Sequence, residues 1–282
     1  MTVGWIGAGK VGCSLGKYLA DHGVMVSGYY SKSQASAQEA AEFTGTNAYD
    51  TMEALVADSD VIFITVPDDV IVQVWEQLKQ MQLAGKRICH CSGVLSSNIF
   101  SDKQAHGVYG YSIHPLLAVC DKLHSHSEFS SALFTIEGDD NYLAEMEQMF
   151  RNCGNQVIRI RPENKVRYHA AAVLGSNLVL ALARTAMEEL VECGFTQESA
   201  LAALAPFMQA NVAHLSNQTL EQSLTGPVER GDAATIRKHL DALQGDNREI
   251  YRLLSGKALG IAANKNPSRD YGNILDLLAD EI

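Results

Sequence analysis

Gly7, Gly9 and Gly12 stand in the pattern G-x-G-x-x-G, directly after the apolar run Val3-Gly4-Trp5-Ile6. The first glycine permits a tight turn and the second lets the backbone approach a ligand closely. The third lets the following helix sit against the strand. Free N–H groups and the positive dipole end of that helix then face the loop, which is how a pyrophosphate is held. The motif opens an amphipathic stretch with Val11, Leu15, Tyr18 and Leu19 on one face, so Gly7, Ala8, Gly9, Lys10, Val11 and Gly12 are the candidate dinucleotide-binding residues. A second group could move protons. His114 precedes Pro115, and Lys165, His169, Ser176 and Asn177 share one predicted helix. An imidazole titrates near neutral pH and suits proton donation to a carbonyl. Lys165, His169 and Ser176 fall on one stripe at about 100° per residue, with Asn177 beside it. Lys165 and Ser176 are roughly 16 Å apart along the axis, so the tighter unit is Lys165 with His169. His114 also has a plainer reading, a turn histidine bonded to backbone, and on the helix either one end of the stripe is structural or the substrate is elongated.

These residues need strands and helices to position them. The first half alternates β-rich runs with helical spacing, predicting strands at 3–6, 24–30, 46–49, 60–66, 87–91, 108–113, 132–137 and 156–160. Helical spacing covers 10–21, 33–43, 51–57, 69–81 and 140–152. This is an α/β pattern, a Rossmann-type doubly wound parallel sheet. Past Ile160 the chain turns alanine- and leucine-rich, predicting helices over 163–192, 196–214, 217–223, 232–243 and 247–263. The boundary is placed near Arg161: a dinucleotide-binding domain over 1–161, then an all-helical domain over 162–282 for substrate and dimerisation. The 163–192 stretch is apolar around its circumference, so it is expected to be buried in a core or against another subunit. A homodimer through the helical domains is the economical form of that expectation.

In an open α/β sheet, ligands lie beyond the carboxyl ends of the strands. Those ends are Gly7–Gly12, Ser31–Ser33, Val66-Pro67, Ser92-Gly93 and His114-Pro115. No acid occurs between Asp21 and Glu39, where an NAD-binding chain places a carboxylate for the ribose hydroxyls. Ser31, Lys32 and Ser33 instead offer hydroxyls and an ammonium to a 2′-phosphate, so the expected cofactor is NADP. Ser31 and Ser33 could equally cap the next helix. Val66 and Pro67 would line the cofactor, and Ser92 could bond a carboxamide or a substrate oxygen.

With 33 acidic and 22 basic side chains the net charge is −11, which excludes a nucleic-acid footprint over the chain as a whole. The six cysteines form no C-x-x-C pair, and no metal site is expected. No stretch reaches the roughly 20 uninterrupted apolar residues of a membrane span, and no room is left for a leader, so a cytoplasmic location is expected.

With Gly-Ala-Gly-Lys-Val-Gly at 7–12, Tyr-Ser-Lys-Ser at 30–33, Val-Pro-Asp-Asp at 66–69, His-Pro-Leu at 114–116, Tyr-His-Ala-Ala-Ala-Val at 168–173, Ser-Asn at 176–177 and Leu-Thr-Gly-Pro-Val-Glu-Arg-Gly-Asp at 224–232, the chain resembles the pyrroline-5-carboxylate reductase and 6-phosphogluconate dehydrogenase superfamily. Its closest likeness is to an uncharacterised branch, Rossmann-like proteins with a helical C-terminal domain of unknown function. The resemblance implies an NADP-dependent reductase with a cleft between two domains and associating helical domains. The β-hydroxyacid dehydrogenases of that superfamily pair a lysine with an asparagine one turn later, whereas Lys165 is followed by His169. Pyrroline-5-carboxylate reductases carry glycine-serine-glycine-proline where Gly175-Ser176-Asn177-Leu178 stands here, so neither substrate carries over. The expectation is therefore hydride transfer between NADP(H) and a small C=O or C=N substrate, with His114 or His169 supplying the proton and Lys165, Ser176 and Asn177 orienting the substrate. The alternative is a non-catalytic dinucleotide-binding protein, a redox sensor or scaffold.

Overall fold

The computed structural model describes residues 1–279. The chain divides into two compact units, Met1–Ser176 and Asn177–Ile282.

In the first unit, eight strands form one sheet: β1 (Thr2–Ile6), β2 (Met25–Tyr30), β3 (Asn47–Ala48), β4 (Val61–Ile64), β5 (Arg87–His90), β6 (Tyr109–Pro115), β7 (Leu133–Gly138) and β8 (Gln156–Arg159). Their order is β3-β2-β1-β4-β5-β6-β7-β8. The order reverses between β1 and β4, the switch point where ligands bind in such sheets. β4 is buried at every position, as its unbroken Val-Ile-Phe-Ile run requires of a central strand. A fully buried side chain such as Phe63 contributes about 1.5–3 kcal/mol.

Helices cover both faces. α1 (Lys10–Asp21), α2 (Gln34–Thr44) and α5 (Leu143–Asn152) pack on one side, where Leu15, Ala40 and Met146 join Trp5, Phe63 and Phe134. α3 (Met52–Ala57) and α4 (Asp68–Leu78) pack on the other, where Leu55 and Trp75 join Ile62 and Ile88. One departure from an all-parallel sheet occurs: β7 runs antiparallel to β6, pairing His114 with Thr135 and Ser112 with Glu137. Residues 116–132 join them with only a 3-10 turn at Ser125–Ser131, and a parallel return would need a crossover helix.

α6 (Lys165–Leu174) ends the first unit. The stretch expected as one helix over 163–192 breaks at Gly175 and Ser176, and the division between units falls there, not near Arg161. Lys165 and Tyr168 explain the difference, since both bond to groups on the sheet.

The second unit is entirely helical: α7 (Asn177–Glu192), α8 (Gln197–Ala213), α9 (Leu220–Ser223), α10 (Pro227–Arg230), α11 (Ala233–Ala242), α12 (Gly245–Lys265) and α13 (Gly272–Ala279). Of these, α10 and α13 carried no sequence expectation. Ile236, Leu240, Leu259, Ala262, Ile274 and Leu278 build its core. Asp232 caps α11 by accepting from the Thr235 N–H at 3.0 Å, as its position predicts. None of the described side chains of α7 is buried within this chain, so its apolar surface is not covered by a core of the same chain. The segment Pro162–Glu192 is the one helical stretch among the described residues long and apolar enough to cross a membrane, with mean hydropathy 1.5 in its most apolar window.

Candidate active site

The glycine loop is shaped before any ligand enters. The Gly7 N–H donates to the Tyr30 carbonyl at 2.8 Å, and Thr65 Oγ1 donates to the Gly7 carbonyl at 2.9 Å. Gly7 has φ +104°, and a Cβ there would lie 2.7 Å from the Thr65 carbonyl oxygen, so only glycine fits. A Cβ on Gly12 would collide with Thr65 Oγ1 and the Gly7 carbonyl. Gly9 differs, because a Cβ there meets nothing within 4 Å. As N-cap of α1 it carries no capping side chain, so the first amides of that helix remain without a side-chain acceptor. An open space above free helical N–H groups is what a pyrophosphate requires.

The loop opens into a cavity of about 650 Å³ lined by Gly7, Ala8, Gly9, Ser31, Lys32, Val66 and Pro67, together with Gln73 and Gln77. A neighbouring hollow of about 730 Å³ shares Tyr30, Met52 and Gln77 with it. Gly7, Ala8, Gly9, Ser31 and Lys32 thus share one cavity of a size and shape that could take a dinucleotide. Ser33 does the plainer task, capping α2 through the Ser36 N–H at 3.3 Å.

Further along the same strand ends, His114 Nδ1 meets the Tyr168 hydroxyl at 2.8 Å. The His169 ring stands edge-on to His114, centroids 6.4 Å apart. Gly93 lies against both: a Cβ there would be 2.5 Å from His169 Cδ2 and 3.0 Å from His114 Nε2. Burial pushes the His114 pKa down to about 3, and the Lys165 ammonium and the neighbouring His169 ring push the same way. His114 is therefore a neutral imidazole at physiological pH.

Lys165 is only 1% exposed. Its Nζ donates to the Ser92 carbonyl at 2.7 Å and to Ser112 Oγ at 2.8 Å, tying the ends of β5 and β6 together. Burial lowers its pKa to about 8, against the opposing pull of Glu137, Cys91 and Asp68. Ser92 Oγ donates to Asp68 at 2.7 Å and accepts from the Val94 and Leu95 N–H groups, so its hydroxyl is engaged within the chain. Asp68 is the first residue of α4 and a partner of Ser92. Ser176 Oγ donates to the Ala172 carbonyl inside its own segment. Asn177 begins the second unit.

The structure thus gathers His114, Lys165 and His169. It adds residues that the sequence reading missed: Tyr168, Ser112 and the buried Glu137, whose carboxylate accepts from the Ser97 N–H and Oγ, both at 2.7 Å. Tyr168 was legible as the residue three after Lys165, on the same helix face. Ser112 and Glu137 lay inside predicted strands, where only strand register reveals them. Among the described residues, no group of three or more His, Cys, Asp or Glu could hold a metal ion.

The two depressed imidazoles affect stability. His90, buried between strands, is also pushed down to about 3, by burial and then by Lys165. Unfolding restores the ordinary value of 6.5, so the unfolded chain binds more protons between pH 6.5 and 3. Stability is then flat above neutrality and falls as pH drops through 6.5. Melting curves should show a Tm about 5 °C or more lower at pH 5 than at pH 7. His90→Gln combined with His114→Gln should flatten that slope; an unchanged slope would assign the acid sensitivity elsewhere.

Residues 1–115 match the Rossmann-like domain family, and residues 132–258 match a domain of unknown function, DUF2520. No curated protein matches the chain. Among solved structures, a Thermotoga maritima protein superposes with a TM-score of 0.77 at 25% identity, covering 94% of this chain and 99% of that one. Plasmodium falciparum pyrroline carboxylate reductase, solved with NADP bound, gives 0.59 at 14% identity over 93% and 98%. An Aspergillus terreus reductive aminase in complex with NADPH and ethyl-5-oxohexanoate gives 0.63 at 15% over 98% of each chain. The two reductases share the fold with this chain.

Proposed function

Since the chain pairs a Rossmann-like domain with a DUF2520 domain, we propose that it is an NADP-dependent oxidoreductase. It would transfer a hydride to or from a small C=O or C=N substrate at the carboxyl ends of β5 and β6. The observation that carries this reading is the His114–Tyr168 pair beside Gly93, on the same sheet edge as the glycine cradle. In the sheet order β1-β4-β5-β6, three steps of about 4.8 Å separate cradle and imidazole. A dinucleotide lying across the strand ends would therefore present its far end near His114. When bound, the reduced nicotinamide supplies a hydride.

The chain's own groups do the rest. In this reading the Tyr168 hydroxyl donates to His114 Nδ1, the tautomer that carries the ring proton on Nε2. A neutral imidazole donating from Nε2 can polarise a carbonyl and then protonate the oxygen. Lys165 acts as a positioning residue, because its two bonds fix the strand ends that carry Ser92 and His114. A non-catalytic sensor would need the cradle alone and gives no role to the paired His114 and Tyr168. The test is loss of NADPH absorbance against a panel of oxo acids, aldehydes, ketones and imines. Turnover of any member supports the reading, and none turned over with NADPH still bound favours the sensor.

NADP preference rests on Ser31 and Lys32 at a cavity without an acid. Lys32→Glu should weaken NADPH binding about 30-fold or more while leaving NADH within about threefold, read by fluorescence titration. Equal losses would remove Lys32 from the phosphate pocket.

The helical unit is proposed to dimerise. Leu180 on α7 is 74% exposed, and on α8 Phe207 is 68% exposed with Leu201 and Val212 exposed beside it in sequence. A patch of this kind marks an association surface. Leu180→Glu with Phe207→Glu should convert a dimer to a monomer in light scattering; a monomeric wild type would end this part of the reading. The six free cysteines fit the reducing cytoplasm proposed for it.

A further inference from the structure

We propose that the group reduced is a carbonyl and not an iminium ion, an inference that rests on the hydride-transfer reading above and narrows it. The two candidates make opposite electrostatic demands. An iminium carbon arrives with a full positive charge and becomes a neutral amine on accepting hydride. It needs no proton and is best held by a free carboxylate. A carbonyl arrives neutral, develops negative charge on oxygen and must be given a proton.

The groups around His114 answer the second demand. From α6 come the Lys165 ammonium, the Tyr168 hydroxyl and the His169 ring; from β6 come His114 itself and Ser112; from β7 come Thr135 and Glu137. Two nearby carboxylates hold neighbouring hydroxyls and make no hydrogen bond to His114 among the described residues. Glu137 is 3% exposed and grips Ser97 through both oxygens, and Asp68 accepts from Ser92. Lys165 is buried at the end of β6 with its ammonium on Ser112, two residues before His114 and on the same sheet face. A cation docking at His114 would meet the two groups that already oppose positive charge on that imidazole, Lys165 and His169, while Glu137 and Asp68 act on Lys165; an alkoxide there would be stabilised.

The step balances. Hydride adds to the carbonyl carbon and the C=O π bond opens. Its electron pair moves to oxygen, which takes the proton from His114 Nε2. The imidazole regains a proton at Nδ1 from the Tyr168 hydroxyl, and solvent restores that hydroxyl. The carbonyl is reduced to an alcohol, and the dinucleotide is oxidised by the hydride it has lost.

Two readouts test this. The first compares NADPH consumption by ketones and by N-alkylated iminium ions of matching carbon skeleton. The carbonyl partner should be faster by about tenfold or more. An iminium turned over as fast or faster overturns the proposal while leaving hydride transfer intact. The second needs no turnover: binding of matched secondary alcohols and ammonium ions to the protein with NADP⁺, followed by calorimetry. Alcohols should bind about tenfold tighter or better. Ammonium ions binding as tightly overturn the proposal even where the panel holds no substrate. Lys165→Met should narrow the gap; if that variant does not fold, the wild-type comparison decides alone.

Discussion

Gly9→Val is expected to fold and melt like the wild type and to lose dinucleotide binding, the Kd for NADPH rising about 100-fold or more. The expectation follows from an asymmetry among the three glycines of the loop. A side chain at Gly7 would strike the Thr65 backbone from a left-handed conformation, and one at Gly12 would strike Thr65 and the Gly7 carbonyl. Substitution at either damages the protein itself. At Gly9 the backbone has φ −78°, an ordinary conformation, and the added atoms enter open space. That space is where phosphate oxygens would reach the first amides of α1. Valine fills it and shields those amides at no cost to packing. Fluorescence titration with NADPH and a thermal melt decide the matter together. Binding within about threefold of wild type, in a variant that melts normally, would move the phosphate site away from this loop.

His114→Gln should lower kcat by about 10²–10⁴-fold while nucleotide affinity stays unchanged, because the change removes the proton donor and leaves the cradle alone. Tyr168→Phe should cost less, about 10–100-fold, since it removes the bond that orients the imidazole and keeps the imidazole itself. Gly93→Ala belongs with these two. Its methyl group would stand 2.5 Å from His169 and 3.0 Å from His114, so both rings must shift. Displacements of about 1 Å at a reacting centre cost about 100-fold. Steady-state kinetics on whichever panel member is reduced measure all three. If His114→Gln retains more than about a third of wild-type kcat, the proton comes from elsewhere, and His169 becomes the group to examine.

The fold was legible because its signals were local and strong. Val61–Ile64 is apolar at every position, and the glycine pattern sits between an apolar run and an amphipathic one, so strand, turn and helix followed directly. The antiparallel β7 was not legible, because strand direction depends on whether residues 116–132 contain a crossover helix and not on the composition of Leu133–Gly138. The site was legible only in part. His114 and His169 stood out by residue type. What they touch is set by sheet register and by the docking of α6, both of which are long-range facts. The same holds for Lys165: its spacing suggested a group facing substrate, whereas its ammonium is sealed on Ser92 and Ser112. Burial of α7, in a core or against another subunit, was inferred from its apolar circumference, and within one chain that surface lies open. Hydropathy reports that an apolar face needs covering, and not by what.

The hydroxyl of Thr65, fastened to the turn at Gly7, has a thermodynamic corollary. A receptor already rigid in its liganded geometry spends no free energy on becoming ordered when its guest docks. Association should thus show a modest entropic penalty and no slow isomerisation phase in stopped-flow traces. Saturating coenzyme should then raise the melting temperature by simple mass action.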